Sequence, residues 1–239
     1  MLSISIIIPA KDEEAVLPRL LSSIAKQTHQ PHEVIVADAN STDRTREIAK
    51  DFGAIVVVGG LPGPGRNAGA RVATGDVFLF VDADTEFPTA DFLERALTEF
   101  ESRRLDIAAA DLVPYDGTFF DAFMLHVYNR FVRLVERWRA HAGGAFILAR
   151  ASLHETIGGF DETVVYCEDH EYAQRGAKHG RFGSLRSVKI GVTTRRMERD
   201  GRFAIIVKSL LGELHMLFLG PIRHEAFHYT FGYKKTSKS

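Results

Sequence analysis

What most limits the folds open to this chain is a set of four short runs of apolar, largely β-branched residues: "SISIII" at 3–8, "EVIVA" at 33–37, "AIVVV" at 54–58 and "VFLFV" at 77–81. None keeps a strict apolar–polar alternation, as expected of central strands covered on both faces. Between them lie helical patterns. Val16, Leu17, Leu20, Leu21 and Ile24 recur on one helical face, and "STDRTREIAKDFG" opens on capping residues and stops at Gly53. Strand and helix in alternation imply parallel strands joined by right-handed crossovers, and such sheets bind ligands beyond the carboxyl ends of their strands. Asp38, Asp82 and Asp84 all fall at such ends.

Composition narrows the classes further. At 239 residues, with 30 Lys plus Arg against 31 Asp plus Glu and one cysteine, the chain carries no bulk field toward nucleic acid and cannot form an internal disulfide. A reducing compartment is expected. The start, "MLSISIIIPAKDEE", lacks a basic n-region and reads as a first strand. With no repeat or linker after residue 105, one compact domain is expected.

Asp82 and Asp84 flank Ala83 in "FLFVDADTEF". Two like charges so close, at a half-buried rim, resist desolvation unless a cation lies between them, and a divalent metal is the simplest remedy. Oxygen donors favour Mg²⁺ or Mn²⁺ and leave positions open for phosphate oxygens. An EF-hand is a poor fit, because Phe87 occupies the position that needs glycine. The segment "GGLPGPGRNAGARVATGD" at 59–76 has five glycines in its first eleven positions, yet it matches neither a P-loop nor Gly-x-Gly-x-x-Gly. It reads as a mobile loop before a helix at 66–74, whose first residues Arg66 and Asn67 could meet an anionic or polar ligand. His141, His170 and His215 are candidate further metal ligands. Cys167, without a matched histidine, receives no role.

Five ordered blocks together resemble family 2 glycosyltransferases with the GT-A fold: "SIIIPAKDEEAVLPRLLSSIAKQ", "EVIVADANSTDRT", "GRNAGARVATGDVFLFVDADT", "GGAFILARASLHETIGGFDE" and "CEDHEYAQRGAKHG". The resemblance implies a Rossmann-like, mostly parallel central sheet flanked by helices in a single α/β domain. It makes residues 1–220 the catalytic domain, with 1–110 binding the nucleotide sugar and 111–200 on the acceptor side, while the apolar pattern of 203–239 reads as a C-terminal amphipathic segment close to a membrane. By matching position it places Pro9, Ala10, Lys11 and Glu13 at the edge of the nucleoside site and Asp38 on the base. Asp82, with Ala83 beside it, faces the ribose or the metal, and Asp84 binds the metal that bridges the diphosphate. Gly143 and Gly144 lie on the acceptor side, Asp169 is the general base with Glu168 its neighbour, and Arg195 and Arg196 meet the diphosphate. "PAKDEE" and "ADANS" depart from the commonest family patterns at the nucleoside edge, which leaves the base open.

From Phe120 the residues Phe120, Phe123, Met124, Val127, Phe131, Leu134, Val135 and Trp138 form one helical stripe over 119–138, with Arg130, Arg133 and Arg137 on another face. The stripe is either core-facing or interfacial. "FAIIVKSLLGELHMLFLG" at 203–220 repeats the theme, with Lys208, Glu213 and His215 interrupting it. The expectation is a metal-dependent, inverting transferase that moves a hexosyl unit from a nucleotide-diphosphate sugar (GDP-mannose or a UDP-sugar) to a hydroxyl or phosphate of a lipid-linked or glycan acceptor. It would work in the cytoplasm, at the inner face of the cell membrane, by peripheral association. The alternatives are a sugar nucleotidyltransferase, and a nucleotide- or glycan-binding module of the same fold without turnover.

Overall fold

A computed structural model describes residues 2–224. The first half alternates as its pattern dictates: β1 (Ile4–Ala10), α1 (Leu17–Ala25), β2 (Glu33–Asp38), α2 (Thr45–Asp51), β3 (Ile55–Val58), α3 (Pro62–Ala70), β4 (Val77–Phe80), β5 (Thr85–Glu86) and α4 (Phe92–Ser102). The second half follows with β6 (Ile107–Pro114), α5 (Phe119–Val135), β7 (Ile147–Arg150), α6 (Ala151–Thr156), α7 (Glu168–His179), β8 (Phe182–Val192), α8 (Arg195–Asp200) and α9 (Arg202–Phe218). Residues 225–239 of the expected C-terminal segment lie outside the described residues.

One eight-stranded sheet runs in the order β3-β2-β1-β4-β7-β6-β8-β5. Strands β3, β2, β1 and β4 are parallel, as are β6 and β8, whereas β7 runs antiparallel to both of its neighbours and β5 antiparallel to β8. The expected mostly parallel sheet is present. Side chains from successive positions of β1 leave on opposite faces and seed two cores. Ile4, Ile6 and Ile8 pack with Leu17, Leu20, Phe92 and Phe100 on one face, while Ile7 packs with Phe80, Ile147, Phe160 and Tyr172 on the other.

Two local expectations change. The run 54–58 forms an edge strand, with Val58 79% exposed, because a continuous apolar run cannot distinguish an edge from a centre. The glycine-rich stretch is helix, not loop: α3 begins at Pro62 and ends at Ala70, short of the expected 66–74. Its glycines serve close approach to the sheet. A Cβ on Gly69 would lie 2.4 Å from Ile7 Cγ2, and one on Gly65 would lie 3.3 Å from Pro9 Cβ. Packing against β1 thus offsets the roughly 1 kcal/mol that each helical glycine costs relative to alanine.

Candidate active site

The carboxyl ends of β1, β2 and β4 set one rim. Pro9 and Ala10 close β1 in the interior, and Asp38, paired in register with Ala10, closes β2. Asp12 and Asn40 both take left-handed backbone, at φ 52° and 56°, a conformation that short Asx side chains tolerate. These reversals lace the two loops together. The Asp12 N–H donates to Ser41 Oγ at 2.9 Å, Thr42 N–H donates to Asp12 Oδ1 at 2.7 Å, and Glu13 N–H donates to Thr45 Oγ1 at 2.8 Å. Lys11 Nζ reaches the Ala39 carbonyl at 3.2 Å. Asp38 Oδ2 accepts from Ser41 N–H at 3.1 Å and lies 3.6 Å from Arg46 Nε, while its Oδ1 is buried without a hydrogen-bond partner. A buried acceptor lacking a donor is costly unless a ligand supplies one.

β4 is buried throughout and, past Val81, brings Asp82 and Asp84 to the surface on either side of buried Ala83. Here arginine answers much of the charge repulsion for which the sequence suggested a metal. Arg66, on the buried face of α3, donates through Nη2 to Asp82 Oδ1 at 2.9 Å and through Nη1 to Glu168 Oε1 at 2.8 Å. Arg195, at the start of α8, donates through Nη2 to Glu13 Oε2 at 2.6 Å and to Asp84 Oδ2 at 3.1 Å. Two guanidinium groups therefore face five carboxyl groups, those of Glu13, Asp82, Asp84, Glu168 and Asp169. Burial pushes the Glu13 carboxyl up to about 7, with Arg195 opposing the rise and Asp84 and Asp82 adding to it. Burial also raises Asp82 against the pull of Arg66, although 40% of its side chain remains exposed. Glu168 is raised by burial and by neighbouring Asp169, again against Arg66. A surplus of hard oxygen donors suits Mg²⁺ or Mn²⁺, which need only one or two carboxylates when phosphate oxygens complete the shell. Asp84 and Asp82 fit that use.

Across the site, α7 follows Cys167, whose left-handed φ of 59° is unusual for a residue with a Cβ. Burial holds the Cys167 thiol far above its usual range, so it remains protonated and no nucleophile. The first turn of α7 presents Asp169, whose Oδ2 accepts the Gly144 N–H at 2.7 Å and whose Oδ1 accepts the His170 N–H at 2.8 Å. Gly144 is where the two halves meet. A Cβ there would lie 2.4 Å from Arg66 Nη2 and 3.1 Å from Asp82 Oδ2, whereas at Gly143 the nearest atom is Tyr128 Oη at 3.8 Å.

Other candidates are placed elsewhere. Asn67 is committed to the fold: its Nδ2 donates to Phe160 O and Glu162 Oε1, both at 2.9 Å, and its Oδ1 accepts Phe160 N–H at 2.8 Å. Arg196 lies 3.9 Å from Asp200 along α8 while Arg195 enters the site. His141 and His170 converge on Glu213, but His215 Nδ1 pairs with the Gly220 carbonyl at 3.1 Å. Sequence reasoning missed the depth of Arg66 and the Glu13–Arg195 link, because the partners lie 102 and 182 residues apart along the chain. It also missed Tyr115, whose hydroxyl donates to the Asp84 carbonyl at 3.2 Å. The faint signal for Arg66 was a lone cation in a run of small residues.

The 119–138 stripe lies outside the core. Phe120, Phe123, Val127, Phe131, Leu134 and Trp138 are exposed, while α5 buries Asp121, Leu125, Asn129 and Val132. Arg133 folds onto Asp111 at 3.0 and 2.8 Å, so the three arginines expected as one basic face are not equivalent. Arg202 forks onto Asp121 at 2.6 and 2.8 Å, joining the N-terminal ends of α5 and α9. α9 exposes Phe203, Leu210, Leu211, Leu214, Leu217 and Phe218. No described helix is long and apolar enough to cross a membrane.

Known proteins share the family and the fold. A profile described as glycosyl transferase family 2 matches residues 5–157. Over 107 residues the chain is 37% identical to the 4,4'-diaponeurosporenoate glycosyltransferase of Staphylococcus haemolyticus, a span of 41% of this chain and 28% of that protein. It is 39% identical over 99 residues to a PGL/p-HBAD biosynthesis glycosyltransferase of Mycobacterium tuberculosis, covering 38% of this chain and 39% of the relative. These matches span well under half of either relative. The mannosyltransferase PcManGT from Pyrobaculum calidifontis, solved with GDP-Man and Mn²⁺, superposes with a TM-score of 0.72 at 18% identity, covering 95% of this chain and 67% of that one. S. aureus TarS superposes with a TM-score of 0.64 at 21% identity, covering 89% and 40%. The shared architecture is the GT-A fold.

Proposed function

Since the chain belongs to glycosyl transferase family 2, we propose that it is an inverting, metal-dependent transferase that moves a hexosyl unit from GDP-mannose or a UDP-sugar to a hydroxyl or phosphate of a lipid-linked or glycan acceptor. The observation that carries this reading is one juxtaposition: Asp169 accepts the Gly144 N–H, and Gly144 sits directly against the Arg66–Asp82 pair, so a candidate base and a candidate diphosphate site adjoin. The donor complexes named for fold neighbours, GDP-Man with Mn²⁺ in PcManGT and UDP-GlcNAc in TarS, support the donor class.

Each residue has a task in this scheme. The unpartnered Asp38 Oδ1 accepts an N–H of the nucleobase. Lys11 lines the nucleoside edge with Pro9 and Ala10 buried behind it, and Glu13 holds Arg195 in position toward the diphosphate. A divalent ion at Asp84 and Asp82, when bound, supplies positive charge toward the departing diphosphate. Arg66 holds Asp82 and Glu168 in register, and Asp169, fixed by two backbone N–H groups, takes the proton of an attacking hydroxyl. The exposed apolar residues of α5 and α9 support a lipid-linked acceptor and peripheral attachment at the cytoplasmic membrane face.

The test is release of nucleoside diphosphate from GDP-mannose and from UDP-hexoses, with and without Mn²⁺ or Mg²⁺. Metal-dependent release is expected, and calorimetry should show that Asp84→Ala loses metal-dependent donor binding while keeping its melting transition. Unchanged donor affinity in that variant would overturn the metal assignment. Donor binding without any turnover would favour a binding module, and pyrophosphate release from a nucleoside triphosphate and a sugar phosphate would favour a nucleotidyltransferase.

A further inference from the structure

Behind the Asp169 turn, three side chains from separate parts of the chain meet. His141 comes from the segment before β7, His170 from the first turn of α7 and Glu213 from the fourth turn of α9. One ligand atom from each lies within 4.8 Å of the other two, and among the described residues this is the only such group of three or more His, Cys, Asp or Glu. His141 Nε2 is 3.3 Å from Glu213 Oε1, His170 Nδ1 is 2.5 Å from the same oxygen, and the two imidazole ring centroids lie 4.0 Å apart with the planes tilted by 47°. The His141 ring is 2% exposed, and its Nδ1 is buried with no hydrogen-bond partner. We propose that His141, His170 and Glu213 form a second metal site, distinct from Asp82 and Asp84, that takes a zinc-class divalent ion and fastens α9 to α7.

Donor chemistry selects the ion. Two imidazoles and one carboxylate are a borderline-soft set that favours Zn²⁺, whereas the all-oxygen pair at Asp82 and Asp84 favours Mg²⁺ or Mn²⁺. Zn–N and Zn–O bonds of about 2.0–2.2 Å in a tetrahedral shell put neighbouring donors roughly 3.3 Å apart. The His141–Glu213 separation of 3.3 Å already meets this spacing. The His170–Glu213 contact must open by somewhat under 1 Å, a shift within reach of a rotamer adjustment in a Glu213 side chain that is 22% exposed. His170 also has a second partner. With its Nδ1 on the metal, its Nε2 keeps the proton and faces Asp169 Oδ1, now 3.9 Å away. A carboxylate behind a metal-bound histidine is the usual way such a ligand is oriented. The ion would thereby hold the Asp169 turn as well as α9, a helix that Arg202 also ties to Asp121 and whose Gly212 packs closely against Tyr166 and Cys167.

The experiment needs neither donor nor acceptor, so its outcome is separate from that of the transferase reading. The full chain, stripped with chelator, is titrated with Zn²⁺ in excess Mg²⁺, and with Co²⁺ for its visible absorption. One Zn²⁺ per chain is expected, with a rise in melting temperature and a Co²⁺ spectrum showing nitrogen ligation. Glu213→Gln and His141→Ala should each weaken Zn²⁺ binding by about 10- to 100-fold or more, while Asp84→Asn leaves it unchanged. If His141→Ala fails to fold, Glu213→Gln decides, since that side chain is 22% exposed and its amide keeps the shape. No Zn²⁺ uptake by the wild-type chain, uptake unaffected by Glu213→Gln, or uptake lost in Asp84→Asn would each overturn the site.

Discussion

Replacing Arg66 with methionine should expose how the charge network of the site is balanced. The guanidinium is 1% exposed and makes charge-assisted hydrogen bonds to Asp82 and Glu168. Methionine fills much of the volume but leaves both carboxylates, with Asp169 beside them, short of their nearest cation. Removing one partner of a buried pair costs roughly 3–5 kcal/mol. The Glu168 side chain is 14% exposed and that of Asp82 is 40% exposed, so solvent screens part of the loss and about 3 kcal/mol is the better figure. For a domain of this size that corresponds to a melting temperature lower by about 6–12 °C. The pH dependence has a definite sign. Burial already raises both carboxyls, and losing Arg66 raises them further, so the folded variant binds protons that the unfolded chain releases. Groups raised on folding contribute stability that is lost as pH rises through their folded value, so the deficit should be largest at pH 8 and shrink toward pH 5. Circular-dichroism melts at the two pH values, with Arg66→Met/Glu168→Gln as a partner variant that recovers part of the loss, provide the check. A deficit below about 1 kcal/mol at pH 8, the range of an exposed ion pair, or one independent of pH, would refute this account.

For a hydroxyl acceptor, Asp169→Asn should lower transfer by about 10²–10⁴-fold with donor binding retained. A lipid phosphate is already anionic, and its transfer should fall less. Because both Asp169 oxygens accept backbone N–H groups, the asparagine amide must face one donor with another, so a melting curve has to accompany the rates. In Glu13 the folded value is raised to about 7 from the usual 4.5, so its contribution to stability is lost as pH rises between these values. Glu13→Gln should flatten that fall, worth at most about 3 kcal/mol, and parallel stability–pH curves would sink the assignment. Co-sedimentation with vesicles tests the apolar faces of α5 and α9. Phe120→Glu/Leu214→Glu should lose binding to anionic and neutral vesicles alike, whereas Arg130→Glu/Arg137→Glu should lose it chiefly to anionic ones, at about 1 kcal/mol per charge. If the wild-type chain binds neither kind, the membrane reading falls.

Local patterns settled more of this protein than its length suggests. β-branched runs separated by capped helical periods dictated the parallel β3-β2-β1-β4 half, and strand polarity then obliged Asp38, Asp82 and Asp84 to emerge along one rim. Such signals are readable because burial period and capping are properties of a few consecutive residues. The tertiary structure decided the rest. Insertion of antiparallel β7 between β4 and β6 brought Gly144 against Arg66 and Asp82, and so connected the Asp169 turn to the other half. Periodicity placed an apolar stripe on α5 but could not say whether anything covers it; packing buried Leu125 and Val132 and left Phe120 and Trp138 in the open. The glycines of α3 carried no phosphate-loop spacing, and their purpose emerged only when Ile7 lay beneath Gly69. Arg66 shows why: its two carboxylate partners are 16 and 102 residues away, and no local pattern encodes which distant side chains a fold will close into one charged cluster.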